Sequence, residues 1–257
     1  MLLLFDIDGT LYSGGGSGWA AFGDAGRDVF GASFTNEGVV FSGWLDPLIF
    51  RALADRNNAT VTDEVLATFR ERAHHHLKRR IASGEFNNRA LPGGIELVEV
   101  LHAQHADTFT LGLLTGNWPE NGRLKLESVG YTMDRFRVCA WGCDGPTRPD
   151  LVPAAWRVYC REPEVLRVAG AHDGHVLGHK VLVIGDTKHD VACAKAHGCL
   201  CLGVTTGGGT AEELEAAGAD RIVDDLTDIG GLIAWMHELA RREDQPGTND
   251  DQAATSA

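Results

Sequence analysis

Four apolar residues in a row, Leu2 to Phe5, run straight into two aspartates one residue apart, Asp6 and Asp8, and then into Gly9 and Thr10. Similar apolar runs recur at Thr108 to Leu114, Phe136 to Ala140, Val181 to Ile184 and Leu200 to Val204, and several are near-continuous. A strand with one face in water alternates apolar and polar residues, whereas a strand covered on both faces of a parallel sheet need not. Runs of this kind leave little choice but a parallel sheet with helices on both sides.

Helical patterns separate the runs, as that architecture requires. Ile95 to Gln104 places Leu97, Val98 and Leu101 on one face, and Asn121 to Gly130 places Leu124, Leu126 and Val129 near one side before a glycine stop. Val152 to Cys160 and Asp190 to His197 follow, and Thr210 with Glu213 forms a capping box that opens another short helix. Strands alternating with helices give an α/β class, a Rossmann-like doubly wound parallel sheet. Ser13 to Arg89 breaks the rhythm. Helices are expected at Ala20 to Phe30, Pro47 to Asn57 and Thr62 to Ser83, the last with Val65, Leu66, Phe69, Ala73, Leu77 and Ile81 on one stripe. The expected organisation is a core over 1–13 and 90–242, a helical insertion over 14–89, and a polar, disordered tail over 243–257.

Composition bears on the partner. The 257 residues carry a formal net charge of -13, which disfavours nucleic acid or an anionic membrane surface as the main partner, though a small anion can still meet a locally positive pocket. No apolar run approaches the ~20 residues of a membrane span, and the short opening run lacks the basic start of a signal peptide, so a cytoplasmic location is expected. The six cysteines form no CxxC pair and read as small buried hydrophobes. Monomer and homodimer both remain open.

Ligands of open parallel sheets bind beyond the carboxyl ends of the strands, and the polar residues of this chain gather there. Asp6 and Asp8 follow the first strand, Thr115, Gly116 and Asn117 the second, and Gly185, Asp186 and Thr187 the fourth. Arg148 lies several residues beyond the third, and Asp190 starts the helix after the fourth. Converging carboxylates repel one another, and a cation would relieve that. An all-oxygen set of this kind suits Mg²⁺.

DIDGTL, LLTGN and VIGDTKHD, in this order at successive strand ends, resemble the motifs of the haloacid dehalogenase-like (HAD) hydrolase superfamily. LPGGIELVEVLHA resembles the family's helix after the cap, and VTTGGGTAEELEAAGAD the segment after the last core strand in phosphoglycolate phosphatase-like members. The resemblance implies a HAD core with an inserted α-helical cap and a Mg²⁺-dependent phosphatase acting on a small phosphorylated metabolite. It implies Asp6 as nucleophile, forming an aspartyl-phosphate, and Asp8 as general acid and then base, its main-chain carbonyl touching the metal. Gly9, Thr115, Gly116, Asn117 and Arg148 would hold the phosphoryl oxygens. Asp186 would bind Mg²⁺ with Asp6, and Asp190 would orient the site or supply a water-mediated metal contact. Arg148 stands where the family normally has lysine. Either it replaces that lysine or activity is reduced; Lys125 and Lys180 are expected to lie in the wrong places. A phosphomutase of the same superfamily and a phosphate-binding regulatory protein are the alternative functions.

The remaining features have plainer readings. His74 to His76, beside Lys78, Arg79 and Arg80, read as a solvated helix face, since adjacent helical residues point about 100° apart and chelate poorly. Trp19 and Trp44 either pack the insertion or line the substrate pocket, and packing is the plainer expectation. Gly207 to Gly209 are expected to relax a loop, and Gly14, Gly15, Gly16 and Gly18 to form a hinge.

Overall fold

The computed structural model describes residues 1–39, 43–161 and 180–242; the tail expected over 243–257 lies outside them. Among the described residues the sheet strands are β1 (Leu2–Phe5), β4 (Thr110–Leu114), β5 (Val138–Ala140), β6 (Val181–Gly185), β7 (Leu200–Val204) and β8 (Arg221–Val223), with a separate ribbon of β2 (Tyr12–Ser13) and β3 (Arg89–Ala90). The sheet order is β5-β4-β1-β6-β7-β8, and every pairing in it is parallel.

The near-continuous apolar runs are explained by two cores, one on each face. Leu3, Phe5, Leu182 and Ile184 point to one side, where they meet α4 (Gly94–Gln104), α5 (Pro119–Ser128) and α9 (Ile229–Arg242). Leu2, Leu4, Val181 and Val183 point to the other, against α6 (Leu151–Tyr159), α7 (Lys188–Lys195) and α8 (Ala211–Ala216). Side chains alternate along a strand, so a residue of either parity needs to be apolar.

Two expected strands are shorter than their apolar runs. The amides of Thr108 and Phe109 are held by the His105 carbonyl, so β4 starts at Thr110. A single 3₁₀ turn over Met133–Arg135, closed by the Phe136 amide on the Met133 carbonyl, delays β5 to Val138. The β2–β3 ribbon, β8 and α9 were not expected from sequence. The pattern for α9 is nevertheless present: Leu232, Met236 and Leu239 are spaced to share one buried stripe.

Three helices form the insertion: α1 (Ser17–Phe30), α2 (Asp46–Arg56) and α3 (Asp63–Ser83). α3 begins where Thr62 accepts a hydrogen bond from the Val65 amide at 3.3 Å, and stops at the left-handed Gly84. α1 starts three residues before the expected Ala20, after Gly16 in a left-handed conformation. Phe22, Phe50, Leu53, Phe69 and Ala73 build an aromatic core between these helices. Its largest buried side chain comes from elsewhere: Trp118, the residue before α5, lies 1% exposed, its ring 5.5 Å from Phe22 and 6.3 Å from Phe69. Full burial of a ring that size stabilises by roughly 2–3 kcal/mol, so Trp118 ties the insertion to the sheet. Arg70 of α3 reinforces the tie through a two-pronged contact with Glu120, at 2.6 and 2.7 Å.

Candidate active site

β1 and β6 are neighbours, with Phe5 opposite Ile184. The chain leaves β1 toward β4 and leaves β6 toward β7 on the other side, so a crevice opens between their carboxyl ends. Asp6 and Asp186 flank it. Both are nearly buried, and Asp190 behind them is completely so.

The floor of the crevice is organised by Arg148. Its guanidinium lies 3.0 Å from Asp6 Oδ2 and donates to Asp190 Oδ1 at 2.5 and 3.2 Å and to the Gly43 carbonyl at 3.2 Å. Asp190 is locked from the other side, its Oδ2 accepting from the Thr187 amide at 3.0 Å and hydroxyl at 2.7 Å. That pair is the capping box of α7, so the helix start fixes the carboxylate that fixes Arg148. Burial alone would push the Arg148 guanidinium down, but the Asp190 and Asp6 charges outweigh it and hold it above the usual arginine range. Arg148 thus stands beside the candidate nucleophile with its fork committed to protein oxygens.

Asp6, Asp186 and Asp190 each bring one oxygen to within 4.8 Å of the others. Burial, with the Asp190 charge, pushes both Asp6 and Asp186 above the ordinary carboxylate range, and the nearby Arg148 only partly offsets this. Asp190 spends its oxygens on Arg148 and Thr187, which leaves Asp6 and Asp186 as the donors for a cation. Asp186 Oδ2 accepts from the Gly208 amide at 2.7 Å. The donor set is hard oxygen throughout and fits Mg²⁺.

The Gly207–Gly209 turn is not the slack loop expected from sequence. A Cβ on Gly207 would sit 1.9 Å from Asp186 Oδ2, and the Gly209 amide donates to the Asp186 carbonyl at 3.0 Å. Glycine is there because the backbone presses against the carboxylate. Gly116 is constrained similarly, since a Cβ there would lie 2.0 Å from the Trp44 carbonyl oxygen.

The wall of the crevice holds a lysine that is, as expected, not the partner of Asp6 and Asp190, yet takes part in the site. Lys125 is on the buried side of α5, and its Nζ donates to Asp8 Oδ1 and Oδ2 at 2.8 and 2.7 Å and to Asn117 Oδ1 at 2.7 Å. Asn117 Nδ2 donates to Asp8 Oδ2 and to Thr115 Oγ1, both at 2.7 Å. Thr115, Asn117, Lys125 and Asp8 form one connected network. Burial would lower the Lys125 pKa, but the charges of Asp8 and Asp46 reverse that and raise it above the usual lysine value. Lys180 does not lie among the cavity-lining residues.

A cavity of about 380 Å³ spans the site and the insertion. Asp6, Asp8 and Lys125 line it together with the apolar side chains of Trp19, Phe22 and Leu77. Trp19 also packs against the insertion core, whereas Trp44 lines the cavity at 41% exposure, so packing alone does not account for the two tryptophans. Gly14, Gly16 and Gly18 line the cavity as well, and Gly15 and Gly16 have positive φ of 55° and 97°.

The start of α2 is bonded directly to the strand-end loops. The Asp46 amide donates to the Gly116 carbonyl at 2.7 Å, and Asp46 Oδ2 accepts from the Trp118 amide at 2.8 Å. Burial pushes the Asp46 carboxyl up to about 7. The histidine run is only partly solvated: His74 Nδ1 pairs with Asn121 Oδ1 at 3.1 Å and His76 with Asp28 at 2.8 Å, while His75 is exposed. All six cysteines are free; Cys193, Cys199 and Cys201 are buried as expected, but Cys143 is exposed.

The HAD-hydrolase-like family model matches residues 159–229. A phosphoglycolate phosphatase of Vibrio parahaemolyticus is 24% identical over 237 residues, covering 91% of this chain and 96% of that protein. A phosphoglycolate phosphatase of Pseudomonas putida is 27% identical over 232 residues, covering 88% of this chain and 76% of that protein. The crystal structure of a hydrolase from Pseudomonas syringae shares the fold, with a TM-score of 0.63 at 23% identity, covering 91% of this chain and 98% of that one. Among the described residues no helix is long and apolar enough to cross a membrane.

Proposed function

We propose that this chain, a member of the HAD-like hydrolase superfamily, is a phosphatase that removes the phosphoryl group of a small phosphorylated metabolite through a covalent intermediate on Asp6. The observation that carries the reading is the convergence of Asp6, the Thr115–Asn117 loop and Arg148 at one crevice, with Asp8 on its wall. The named activity of the two curated relatives makes a phosphorylated two-carbon acid the first substrate to try.

Each residue has a role that its surroundings support. Thr115, the amides of Gly116 and Asn117, and Gly9 seat the phosphoryl oxygens. An Asp6 carboxylate oxygen bonds to phosphorus as the bond from phosphorus to the leaving oxygen breaks, and the Asp8 carboxyl gives its proton to that oxygen. Asp8, now a carboxylate, takes a proton from water; the resulting hydroxide attacks phosphorus, the bond to Asp6 breaks, and inorganic phosphate leaves. Arg148 keeps Asp6 aimed and offsets the charge of the buried carboxylates. Asp6, Asp186 and the Asp8 carbonyl would hold Mg²⁺, which when bound supplies charge neutralisation for the phosphoryl oxygens. Asp190 holds Arg148. The helical segment over 14–89 serves as the cap that excludes water, a reading supported by the hydrogen bonds of Asp46 with Gly116 and Trp118.

The test is phosphate release from a panel of small phosphate esters with Mg²⁺ or EDTA, for wild type and Asp6→Asn. Wild type should release phosphate only with Mg²⁺, and Asp6→Asn should lose about 10³-fold or more. Turnover unchanged in Asp6→Asn would overturn the mechanism. Isomerisation of a sugar phosphate without net phosphate release would favour the mutase.

A further inference from the structure

We infer that Lys125 is the positioning residue for Asp8, holding the proton-transfer group over the phosphoryl seat from a helix outside the strand-end motifs. The inference rests on the phosphatase reading above and goes beyond it, because it gives Asp8 a support that lies on a different element.

Asp8 needs such a support. Asp6 is gripped by Arg148 within a buried floor, but the Asp8 side chain is 49% exposed, and an exposed aspartate samples several rotamers. Two groups stop it. Lys125 Nζ reaches both carboxylate oxygens, and Asn117 Nδ2 reaches one of them. Lys125 is itself immobilised: its side chain is 10% exposed, Asn117 Oδ1 accepts from it, and its ammonium lies 5.8 Å from the centre of the Tyr12 ring. Asp46 on α2 contributes further attraction. The Asn117 that steadies Lys125 also bonds Thr115 Oγ1, so the position of Asp8 is set relative to the phosphoryl seat itself.

A group that must meet the leaving oxygen, and then a water, depends strongly on placement; a shift of about 1 Å can cost on the order of 10²-fold. Removing Lys125 should therefore affect steps that need a proton from Asp8 and spare steps that do not. An alkyl phosphate expels an alkoxide and needs the proton. An aryl phosphate such as p-nitrophenyl phosphate expels a stable phenolate and does not, so its transfer to Asp6 is independent of Asp8.

The experiment measures kcat/KM for 2-hydroxyethyl phosphate and p-nitrophenyl phosphate in wild type, Lys125→Met, Lys125→Arg, Asp8→Asn, and the Asp8→Asn/Lys125→Met double variant. Lys125→Met should lose about 10–100-fold on the alkyl ester and less than about 3-fold on the aryl ester. Lys125→Arg, which keeps the charge, should recover part of the alkyl activity. In the Asp8→Asn background the Lys125 change should cost nothing further on the alkyl ester, because it acts through Asp8. Retained aryl activity also shows that the variant is folded. Equal losses on both esters, full alkyl activity in Lys125→Met, or additive losses in the double variant would each overturn the inference. Should Lys125→Met not fold, Lys125→Arg decides: an equal loss on both esters overturns the inference, and an alkyl-selective loss supports it. The phosphatase reading fails separately, if wild type hydrolyses neither ester or if Asp6→Asn remains active.

Discussion

The floor and the wall of the crevice each pair a buried cation with an aspartate of the same DxD motif, yet the two pairs are built differently. On the floor, Arg148, Asp6 and Asp190 are all buried; the start of α7 locks Asp190, Asp190 and the Gly43 carbonyl hold Arg148, and Arg148 holds Asp6. On the wall, Lys125 is buried but Asp8 is half open to the cavity. A nucleophile has to stay where it is, so its surroundings can be rigid and closed. A proton-transfer group has to meet the leaving group and then water, so it is held at one end and open at the other.

The largest expected difference between the two is in stability. Removing Arg148 leaves Asp6 and Asp190 buried without their cation, which costs on the order of 3–5 kcal/mol. Removing Lys125 leaves Asp8 free to be hydrated, and the loss should stay near 1 kcal/mol. Urea melts of Arg148→Met and Lys125→Met in EDTA make the comparison; equal destabilisation would mean that floor and wall do not differ as described. Activity follows the same split. Arg148→Met should abolish measurable turnover of alkyl and aryl esters alike, and Arg148→Lys should restore part of both. Lys125→Met should be selective for the alkyl ester. Aryl activity surviving in Arg148→Met would remove the arginine from the first transfer step.

A smaller effect is expected where α2 meets the wall. Asp46 has its carboxyl raised to about 7 by burial, against 3.8 in the unfolded chain. A group whose acid is favoured in the folded state binds its proton more tightly there, so stability falls as pH rises through the interval between the two values. Asp46→Asn keeps an acceptor for the Trp118 amide and removes the titration. Its unfolding free energy should match wild type near pH 4 and exceed it above pH 7, by about 1.4 kcal/mol for each pH unit crossed, as read from urea melts across that range. A constant difference across that range would place the titrating group elsewhere.

The floor was legible in the sequence because every member sits at a fixed distance from a strand end. Asp6 and Asp186 each follow an apolar run, and a parallel sheet brings such positions together whatever the loops do. Arg148 was found from its place after the third strand, and its contacts with Asp6 and Asp190 account for its position there. On the wall, Asp8, Thr115 and Asn117 were legible in the same way, but Lys125 was not. Leu124, Leu126 and Val129 phase the α5 segment so that Lys125 falls outside the packed side. The buried stripe is instead Asn121, Gly122, Lys125 and Leu126, following the buried Trp118. With that phase, a lysine in the middle of the stripe would have signalled a carboxylate opposite it. The polar Asn121 and the small Gly122 hid the stripe. Gly122 is small because the Trp141 ring and Ile7 pack on it, a contact that only the fold reveals. The β2–β3 ribbon and β8 escaped for a simpler reason, since two- and three-residue strands carry no period to read.

The measurement closest to the central claim is capture of the covalent intermediate. Asp8→Asn cannot activate water by the proposed route but should still accept a phosphoryl group from an activated aryl ester. Acid quenching during turnover of p-nitrophenyl phosphate with Mg²⁺, followed by peptide mass mapping, should place one phosphoryl group on Asp6. Release of one equivalent of nitrophenolate with no phosphorylated peptide, or with the phosphoryl group on another residue, would contradict the account.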